Sequence, residues 1–556
     1  MDEERPLVGI DFGTATTLVT QRLPYSYAET VPIGISTAWL PSTVAASPQG
    51  DLVFGEAAEA IGDPGAVRSV KQYITADRYA PLSLGAHRGT QMFTPDRLIV
   101  ALLRHVVLLA KANEAETDDA AFRLACPAIW DGPRRKRLAS LANEAGIPVT
   151  VADIVDEPIA AGLAWSEGCH DRDGEPPEGT VLVFDYGGGT LDIALMSVGE
   201  DLDDLEPELT VFSARGVAEA GDALDLRIAQ DLERDMRAAG LDVDRMPSPR
   251  TVRSLLLSAA RRLKVLLSDT RFDTQSVPLG GGHTTMLEYT RQRLEEAFSP
   301  QLDRALQHVR AALCEARLRR RTTPDLESLA RMPIEELARD VEYVLLAGGM
   351  SQIPLVREEF LRLFPHARVE YDQSLETPEE SVATGLVVRS DRYHRLSLPR
   401  PGFDLVLEWQ DRDGRTCREL LYPAFQPLFT ADQVFRREGS LGHRYDAQVP
   451  GLTGDATAAL RAVSVDGKPL DFVVDGRPIP HLPVRLRRFT NFTFQLKVSG
   501  DIYVRDCAYQ EARFRVERWP ILRGGERNSV SLSTVRNGFP IQRSTTFTDF
   551  YSHPHQ

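Results

Sequence analysis

Two stretches of the chain end an apolar run in an aspartate and then continue with glycine and threonine. In the first, residues 7–10 lead into Asp11 and the letters FGTAT; in the second, residues 181–184 lead into Asp185 and YGGGT. Glycine has no Cβ, so backbone N–H groups in such a turn can approach an anion closely. A carboxylate beside a phosphate-sized nest is repulsive unless a divalent cation or an attacking water lies between them. Each stretch therefore predicts a strand–turn–strand unit that suits a metal-bound polyphosphate.

The two stretches form an apparent internal repeat about 175 residues apart. Two such hairpins that face each other would hold a phosphate chain from both sides and bring one carboxylate each to the metal. A single glycine-rich turn after a strand is usually only a turn. The prediction therefore depends on the pair.

A third element follows the same logic. Residues 341–346 read as a strand that ends in Gly348, Gly349 and Met350, and Pro354 then begins a helix of apolar residues at helical spacing. A strand that leads through paired glycines into a helix N-terminus is typical of a phosphate or nucleoside site. Alone, it would be read as a plain strand–helix turn.

Length and charge limit the classes of protein. The 556 residues are too many for one hydrophobic core, so two to four domains are expected. The net charge of −16 disfavours contact with a nucleic-acid backbone.

The five scattered cysteines, without CxxC spacing, indicate a reducing compartment. No export signal is recognisable in MDEERPLVGI, and the most apolar long stretch, 98–112, is too short for a membrane span. We expect a cytoplasmic protein with neither a nucleic-acid nor a membrane partner.

The pattern along the chain changes near residue 390. Before it, strands alternate with helices, which indicates α/β layers, with a strand at 149–155, a small-residue helix at 159–165 and a surface loop at 169–179. Residues 391–402 read as a linker, 403–523 as a β-rich C-terminal domain with Asp-Gly hairpin turns, and 524–556 as a polar, disordered tail. We expect a solvated helix end at the basic cluster of Arg317, Arg319, Arg320 and Arg321.

Four segments in order along the chain carry a family resemblance: IDFGTATT, DIVDEPIAAGLAW, VFDYGGGTLDIA and VLLAGGMSQIPLV. They resemble the phosphate-one, connecting, phosphate-two and adenosine motifs of the actin, sugar-kinase and heat-shock ATPase superfamily. Within it, the segments look most like those of the seventy-kilodalton heat-shock (DnaK-like) chaperones. The resemblance implies an α/β fold at 1–390 with two lobes, each built on a ribonuclease-H-like sheet. Lobe I would span about 1–180, lobe II about 181–365, and a helix at about 375–390 would return to lobe I.

The resemblance also implies a site: ATP or ADP with Mg²⁺ in the cleft between the lobes. Asp11 and Asp185 would hold the magnesium through water, and Lys71 would contact the γ-phosphate and its attacking water. Glu157 would lie near the metal, and Asp192 would support the second hairpin. The catalytic positions that the resemblance implies are Asp11, Lys71, Glu157, Asp185 and Thr190. The nucleotide-binding positions that it implies are Gly13, Thr14, Ala15, Thr16, Gly187, Gly188, Gly189, Thr190, Gly221, Lys264, Ser268, Gly348, Gly349 and Met350.

The chain departs from the family pattern at several of these positions. Ala15 stands where the chaperones have a hydroxyl residue, and Arg261 and Val265 stand where they have an acid and an arginine about the adenosine. Met350 and Gln352 replace a serine and an arginine in the adenosine motif. We therefore expect the phosphate contacts of the family together with altered contacts to adenine.

The expected function is that of an ATP-hydrolysing chaperone whose nucleotide state controls binding of an unidentified protein or peptide client, with a co-chaperone or exchange factor as a further partner. The family's apolar, acidic interdomain linker is not recognisable at 389–402, and no long helical lid follows the β-rich region. The alternatives are a nucleotide-gated scaffold with little hydrolysis, an actin-like filament former and a sugar kinase. No HExxH, Cys/His ligand cluster or G-x-S-x-G sequence predicts a rival active site.

Overall fold

The computed structural model describes residues 5–47, 49–61, 66–84, 91–173, 177–200, 207–280, 283–320, 326–372, 375, 378–389, 393, 396–436, 441–516, 518–522 and 528–535. Its first lobe is built from strands and helices in alternation. They are the strands β1 (Leu7–Phe12), β2 (Thr16–Arg22), β3 (Ala28–Val31), β4 (Leu40–Pro41), β5 (Val44–Ala46), β6 (Leu52–Phe54), β7 (Leu82–Leu84), β8 (Gln91–Phe93), β9 (Ala121–Cys126) and β10 (Ile154–Asp156), and the helices α1 (Gly55–Ala60), α2 (Gln72–Thr75), α3 (Pro95–Ala112), α4 (Gly132–Ala145) and α5 (Glu157–Asp173).

The second lobe has more helix. It contains the strands β11 (Gly179–Tyr186), β12 (Leu191–Glu200), β13 (Pro207–Val217), β14 (Phe272–Gly280), β15 (His283–Thr290), β16 (Tyr343–Ala347) and β17 (Arg368–Glu370), and the helices α6 (Gly221–Ala238), α7 (Pro249–Asp269), α8 (Arg291–Arg320), α9 (Leu326–Arg331), α10 (Ile334–Leu337) and α11 (Pro354–Leu363). The next helix along the chain, α12 (Ser381–Leu386), returns to the sheet of the first lobe.

The main sheets of the two lobes have the same topology. The first runs β3-β2-β1-β9-β10 and the second β13-β12-β11-β16-β17. In each, the first three strands are antiparallel neighbours and the last two run parallel to the central strand. The central strands β1 and β11 are largely buried, so they read as apolar runs rather than as alternating patterns. This confirms the expected duplication of one sheet in two lobes.

Two helices lie between the sheets and join the lobes. Helix α5 packs on β11 and β12 of the second sheet, while α12 packs on β1 and β2 of the first and also against α5. Small residues allow both close contacts: a Cβ on Gly385 of α12 would overlap the backbone of Ala160 on α5, and a Cβ on Gly162 of α5 would lie 2.6 Å from Met196 Sδ on β12 of the second sheet. The small-residue composition of α5 therefore sets the distance between the lobes.

The C-terminal region is rich in strands, as expected. Its strands join in one large sheet in the order β19-β18-β21-β22-β28-β27-β26-β25-β20, with β23 on β22 and β24 on β21. Its elements are β18 (Phe403–Gln410), β19 (Thr416–Tyr422), α13 (Ala431–Arg436), β20 (Gly442–Gln448), β21 (Ala456–Ser464), β22 (Pro469–Val474), β23 (Arg477–Ile479), β24 (Leu482–Leu486), β25 (Asn491–Lys497), β26 (Asp501–Arg505), β27 (Glu511–Arg515) and β28 (Ser529–Thr534).

Three local expectations need correction. The strand expected at 149–155 is only Ile154–Asp156, because Val151–Asp153 forms a 3₁₀ turn closed by a capping box between Thr150 and Asp153. The surface loop expected at 169–179 begins later, because α5 continues to Asp173. The tail expected at 524–556 contributes a strand, since β28 pairs with β22 and β27; the rest of it, with the exception of residues 528 and 535, lies outside the described residues.

The segment expected as a linker is docked rather than free where the structure describes it. Ser397 forms a parallel bridge with Thr210 beside β13, and Leu396 and Leu398 are buried. Arg319, near the end of α8, is partly buried and donates to the carbonyl oxygens of Leu398 and Pro399 (2.8 and 2.5 Å).

The basic cluster at the end of α8 is therefore not a solvated helix end. Besides Arg319, Arg317 pairs with Asp340 at 3.0 Å and Arg320 donates to Thr180 Oγ1 at 2.5 Å, while Arg321 lies outside the described residues. Within the ranges described, no helix has the length and apolarity to cross a membrane.

Candidate functional site

The two glycine-bearing turns, between β1 and β2 and between β11 and β12, face each other across a cavity of about 430 Å³, a volume in the range of small-ligand sites. The cavity is lined by every predicted site residue except Gly221 and the supporting Asp192. Its predicted lining residues are Asp11, Gly13, Thr14, Ala15, Thr16, Lys71, Glu157, Asp185, Gly187, Gly188, Gly189, Thr190, Lys264, Ser268, Gly348, Gly349 and Met350.

Asp11 lies near the end of β1 and points one oxygen, Oδ1, into the protein without a hydrogen-bond partner among the described residues. Burial raises the pKa of Asp11 to about 7; the charge of Lys71 opposes this shift and that of Glu157 adds to it. An unpartnered buried carboxylate oxygen is costly in an otherwise complete structure. Asp11 is therefore arranged to receive a cation or a water from the cavity.

Lys71 and Glu157 form a buried ion pair at the base of the cavity. Lys71 immediately precedes the short helix α2, and Glu157 is the first residue of α5; their side chains hydrogen-bond directly. Burial alone would lower the pKa of Lys71, but the carboxylates of Glu157 and Asp11 outweigh burial and hold it above its usual value. The ammonium therefore stays charged, and it has three N–H donors of which the pair uses one.

The second hairpin carries two aspartates side by side. Asp185 on β11 is the cross-strand partner of Asp192 on β12, and both are buried. Asp192 Oδ1 accepts a hydrogen bond of 2.7 Å from the backbone N–H of Ala128, which belongs to the first lobe. Burial, together with the negative charge of Glu157, raises the pKa of both aspartates well above the usual value. Asp192 therefore ties the second hairpin to the first lobe, and Asp185 is left facing the cavity.

The glycines of the second turn are required by close approach to the first turn. A Cβ on Gly189 would overlap the side chains of Thr14 and Gln72, and one on Gly188 would lie 3.0 Å from the Cβ of Ala15. By contrast, a Cβ on Gly187 would make an ordinary contact, 3.5 Å from the nearest oxygen. The two turns thus nearly touch, and their bare backbones line the cavity from opposite sides.

The third element closes the cavity beside Asp185. Gly348 has a φ of 74°, a conformation that favours glycine, and a Cβ there would lie 2.5 Å from Asp185 Oδ1. Ser351 donates to the carbonyl oxygen of Gly348 at 2.6 Å and fixes the turn before α11. The strand–turn–helix reading of this stretch is confirmed, with a 3₁₀ turn, Gly349–Gln352, ahead of the helix.

Val265 and Gln352, two of the positions where the chain departs from the family pattern, line the cavity together with the retained Lys264. Lys264 forms an ion pair of 2.8 Å with Asp225, and Gln352 donates to Glu379 Oε1 at 2.7 Å. Val265, on α7, is largely exposed at the rim. Gly221 lies behind the second turn, where its N–H donates to the carbonyl oxygen of Gly187 at 3.2 Å, and a Cβ on it would lie 2.8 Å from Lys264 Nζ.

Several lining residues were not anticipated from the sequence. Trp39 lies in the loop before β4, and Glu379 lies just before α12, so neither is part of a strand–glycine pattern. No local signal could have found them, because they reach the cavity only through the folded arrangement of the lobes. The residues of this kind are Trp39, Pro378, Glu379 and Val382, whereas three further lining residues, Leu18, Asp269 and Ile353, lie in or next to segments that the sequence analysis singled out.

The donor set fits a hydrated cation better than a fully protein-bound one. No group of three or more His, Cys, Asp or Glu side chains within the described ranges is arranged to hold a metal ion. Asp11 and Asp185 supply two carboxylates, and magnesium commonly keeps several waters and takes its other ligands from phosphate. The unpartnered Oδ1 of Asp11 and the bare glycine turns are consistent with that mode of binding.

Comparison with known proteins agrees with this geometry. The family model described as Hsp70 protein matches residues 7–393. The chain is 25% identical over 401 residues to a protein named chaperone protein DnaK from Thermosipho melanesiensis, a match that covers 69% of this chain and 59% of that protein. The protein of the same name from Thermotoga maritima is 25% identical over 399 residues, again with 69% of this chain and 59% of its own length covered. The match thus spans about three-fifths of the length of these relatives.

Proposed function

The chain belongs to the Hsp70 protein family, and we propose that it binds and hydrolyses ATP with magnesium as a chaperone-type protein whose nucleotide state controls the binding of a protein or peptide client. The observation that carries the proposal is the meeting of two equivalent hairpins from two equivalent sheets, each with one carboxylate, on either side of one cavity. Phosphoryl transfer to water needs positioning and charge neutralisation more than covalent chemistry, and this arrangement supplies both.

Asp11 and Asp185 are assigned to the metal. Each would hold the hydrated Mg²⁺ through water, so that the ion spans the two lobes. When bound, magnesium neutralises charge on the phosphate chain and orients it for in-line attack. The two carboxylates are buried beside Glu157, where their mutual repulsion is offset only by Lys71 and by a bound cation.

Lys71 is assigned to the terminal phosphate and to the water that attacks it. Its ion pair with Glu157 fixes the position of the ammonium at the wall of the cavity and leaves two of its three N–H donors for a ligand. A buried charged donor of this kind stabilises charge far more strongly than it would in water. Glu157 therefore acts on the reaction through Lys71, as a positioning residue.

The two turns are assigned to the phosphate chain. The hydroxyls of Thr14 and Thr16 and the backbone of Gly13 and Ala15 would contact it from the first lobe, and residues 187–190 from the second. Thr190 is buried, and its carbonyl oxygen accepts a hydrogen bond of 3.0 Å from the N–H of Gly187, which closes the second turn. Gly348, Gly349, Met350, Lys264 and Ser268 would contact the nucleoside, with Gly221 behind the second turn.

Contacts between the nucleotide-binding lobes and the C-terminal domain support control by nucleotide. Arg400, next to the docked segment, donates to the carbonyl oxygens of Ala128 and Ala214, one in each lobe. The N–H of Gly132 donates to the carbonyl oxygen of Ala424 at 3.0 Å, and Arg215 donates to that of Phe429 at 3.1 Å. A change in the angle between the lobes would disturb these contacts, which makes release of the C-terminal domain the proposed output.

Calorimetry and hydrolysis assays on the same preparation test this proposal. Titration of Mg-ATP should show one site per chain, and single-turnover assays should show magnesium-dependent release of phosphate. A fluorescent unfolded polypeptide should bind with different affinity in ATP and ADP. Absence of ATP binding contradicts the proposal entirely, and identical polypeptide affinity in both nucleotides contradicts its chaperone part.

A nucleotide-gated scaffold with little hydrolysis is a second candidate. It is favoured by the nucleoside end of the cavity, where Gln352 is bonded to Glu379 and Lys264 to Asp225. The buried set of Asp11, Lys71, Glu157 and Asp185 favours hydrolysis instead, since binding alone does not require a positioned water. ATP binding without measurable single-turnover hydrolysis would support the scaffold function over ATP hydrolysis.

A further inference from the structure

A second cleft lies between the lobes, behind the turn that carries Lys71. It has a volume of about 340 Å³ and is lined from the first lobe by Arg68, Arg78 and Gln72, and from the second by Asp222 and Arg261. Gln72 separates it from the first cavity, because its side chain reaches the second glycine turn on one side and lines this cleft on the other. No function has been assigned above to these three arginines.

The charge of this cleft is opposite to that of the chain. Three guanidinium groups face one lining carboxylate, Asp222, in a protein whose net charge is −16. Arg68 has Glu59 as an ion-pair partner at 4.0 Å, and Glu59 is half exposed. Coulomb attraction at that distance and exposure is weak. The lining is therefore left with an excess of positive charge.

Arg261 is also incompletely neutralised. Its guanidinium lies 3.4 Å from Asp222 and 3.4 Å from Asp225, both long for charge-assisted hydrogen bonds. Asp225 has a shorter ion pair, 2.8 Å, with Lys264. One carboxylate is thus shared by two cations, which leaves donors of Arg261 available to a further anion.

Arg68 and Arg261 come from different lobes and repel each other. Burial, and then the charge of Arg261, lowers the pKa of Arg68, so the two guanidinium groups interact across the cleft. Ser69, next to Arg68, donates a hydrogen bond of 2.9 Å to Asp222. This hydrogen bond joins the two lobes at the wall of the cleft. An anion between the arginines would remove the repulsion and add a second link beside that hydrogen bond.

We propose that this cleft is an oxyanion site that binds a phosphate group between Arg68 of the first lobe and Arg261 of the second. Guanidinium groups match the geometry of phosphate oxygens in a paired, bidentate manner, and Gln72 and Arg78 supply further donors at the wall. The site is separate from the nucleotide phosphate cradle, and its ligand is either free phosphate or the end of a longer phosphate chain seated in the first cavity.

Isothermal titration of the full chain with inorganic phosphate at constant ionic strength tests the proposal. One arm uses nucleotide-free protein, and the second uses protein saturated with magnesium and a non-hydrolysable ATP analogue, which fills the cradle. We expect phosphate to bind in both arms if the ligand is free phosphate. Binding in the first arm that disappears in the second, yet still depends on both arginines, identifies the end of a nucleotide's phosphate chain as the ligand.

Variants assign the binding to the cleft. Arg68→Gln and Arg261→Gln should each weaken phosphate binding about tenfold or more, since each removes a charge-assisted contact. Arg68→Lys should weaken it less. Arg262→Gln is the matched control, because Arg262 lies on the same helix and bonds to Gln275 and Ser258 instead.

The rise in unfolding temperature with millimolar phosphate gives a second readout that should follow the same order among folded variants. Phosphate binding that is unchanged in both arginine variants, or no binding at millimolar phosphate in the first arm, would overturn the proposal. Because the first arm contains no nucleotide, its result does not depend on whether the chain binds or hydrolyses ATP.

Discussion

In the first hairpin the cavity-facing carboxylate, Asp11, lies near a buried cation, Lys71; in the second, Asp185 has another carboxylate, Asp192, as its cross-strand neighbour. The hairpins occupy equivalent places in sheets of the same order. The first therefore has its charge partly balanced within its own lobe. The second is fixed by a backbone N–H from the other lobe and depends more on a bound cation. Equivalent hairpins therefore carry unequal surroundings: under the proposed function, the first would position the reacting water, and the second would respond to the distance between the lobes.

A large effect, on both hydrolysis and stability, is expected at Lys71, the buried cation near the first hairpin. Lys71→Ala should lower the single-turnover rate of ATP hydrolysis about 100-fold, as for removal of a preorganised donor to developing charge. It should also lower the free energy of unfolding by about 3–5 kcal/mol, because Glu157 is left buried without its partner.

The double variant Lys71→Ala/Glu157→Ala separates the two roles of Lys71. It should recover much of the lost stability, measured by denaturant unfolding, without recovering hydrolysis. If the single Lys71→Ala variant unfolds at the same denaturant concentration as the unmodified chain, the two side chains are not a buried pair.

A smaller effect, on affinity, is expected from the contact between the turns. Gly189→Ala should weaken Mg-ATP binding about tenfold, because the new methyl group overlaps Thr14 and Gln72 and pushes the turns apart. Gly187→Ala is the matched control, since its methyl group finds space, and its affinity should stay within about twofold of the unmodified chain. Equal losses in the two variants, measured by calorimetry, would mean that the turns do not approach each other as described.

An effect on stability alone is expected at the hydrogen bond that joins the second hairpin to the first lobe. Asp192→Asn keeps an oxygen for the N–H of Ala128, whereas Asp192→Ala leaves that buried N–H unsatisfied. The alanine variant should therefore be less stable than the asparagine variant by about 1–3 kcal/mol in denaturant unfolding. If both variants have the same stability, the hydrogen bond from Ala128 does not hold the hairpin.

Sequence alone could predict the hairpins, because their signal is local: an apolar run, an aspartate and glycines within a few residues. It could not predict the tie between Asp192 and Ala128, nor the contact of Gly189 with Gln72. The residues involved are far apart in the chain, and neither partner has an unusual local context. Lys71 lies between these two cases. Its own neighbours in the sequence do not distinguish it from a surface lysine, and only its place in the order of the motifs predicted its role.

Charge was the least reliable guide. The arginines near the end of α8 were expected in solvent, yet Arg319 is partly buried against the docked segment, whose carbonyl oxygens accept its hydrogen bonds. The docking of this segment on β13 could not be predicted either. Ser397 pairs with the distant Thr210 through backbone atoms, and no side-chain pattern predicts such a contact. Backbone carbonyls are present at every residue, so composition does not reveal which of them a charged side chain will use.

The central claim is that the two hairpins act as one hydrolytic unit, and a cycle of variants tests it most directly. Single-turnover hydrolysis of Mg-ATP would be measured for Asp11→Asn, Asp185→Asn and the double variant, with Mg-ATP affinity determined in parallel. Each single change should reduce the rate about 100-fold or more, and the double variant should be scarcely slower than either, because residues that act as a unit are not additive. A single variant that hydrolyses at the unmodified rate, or losses that multiply in the double variant, would contradict the account.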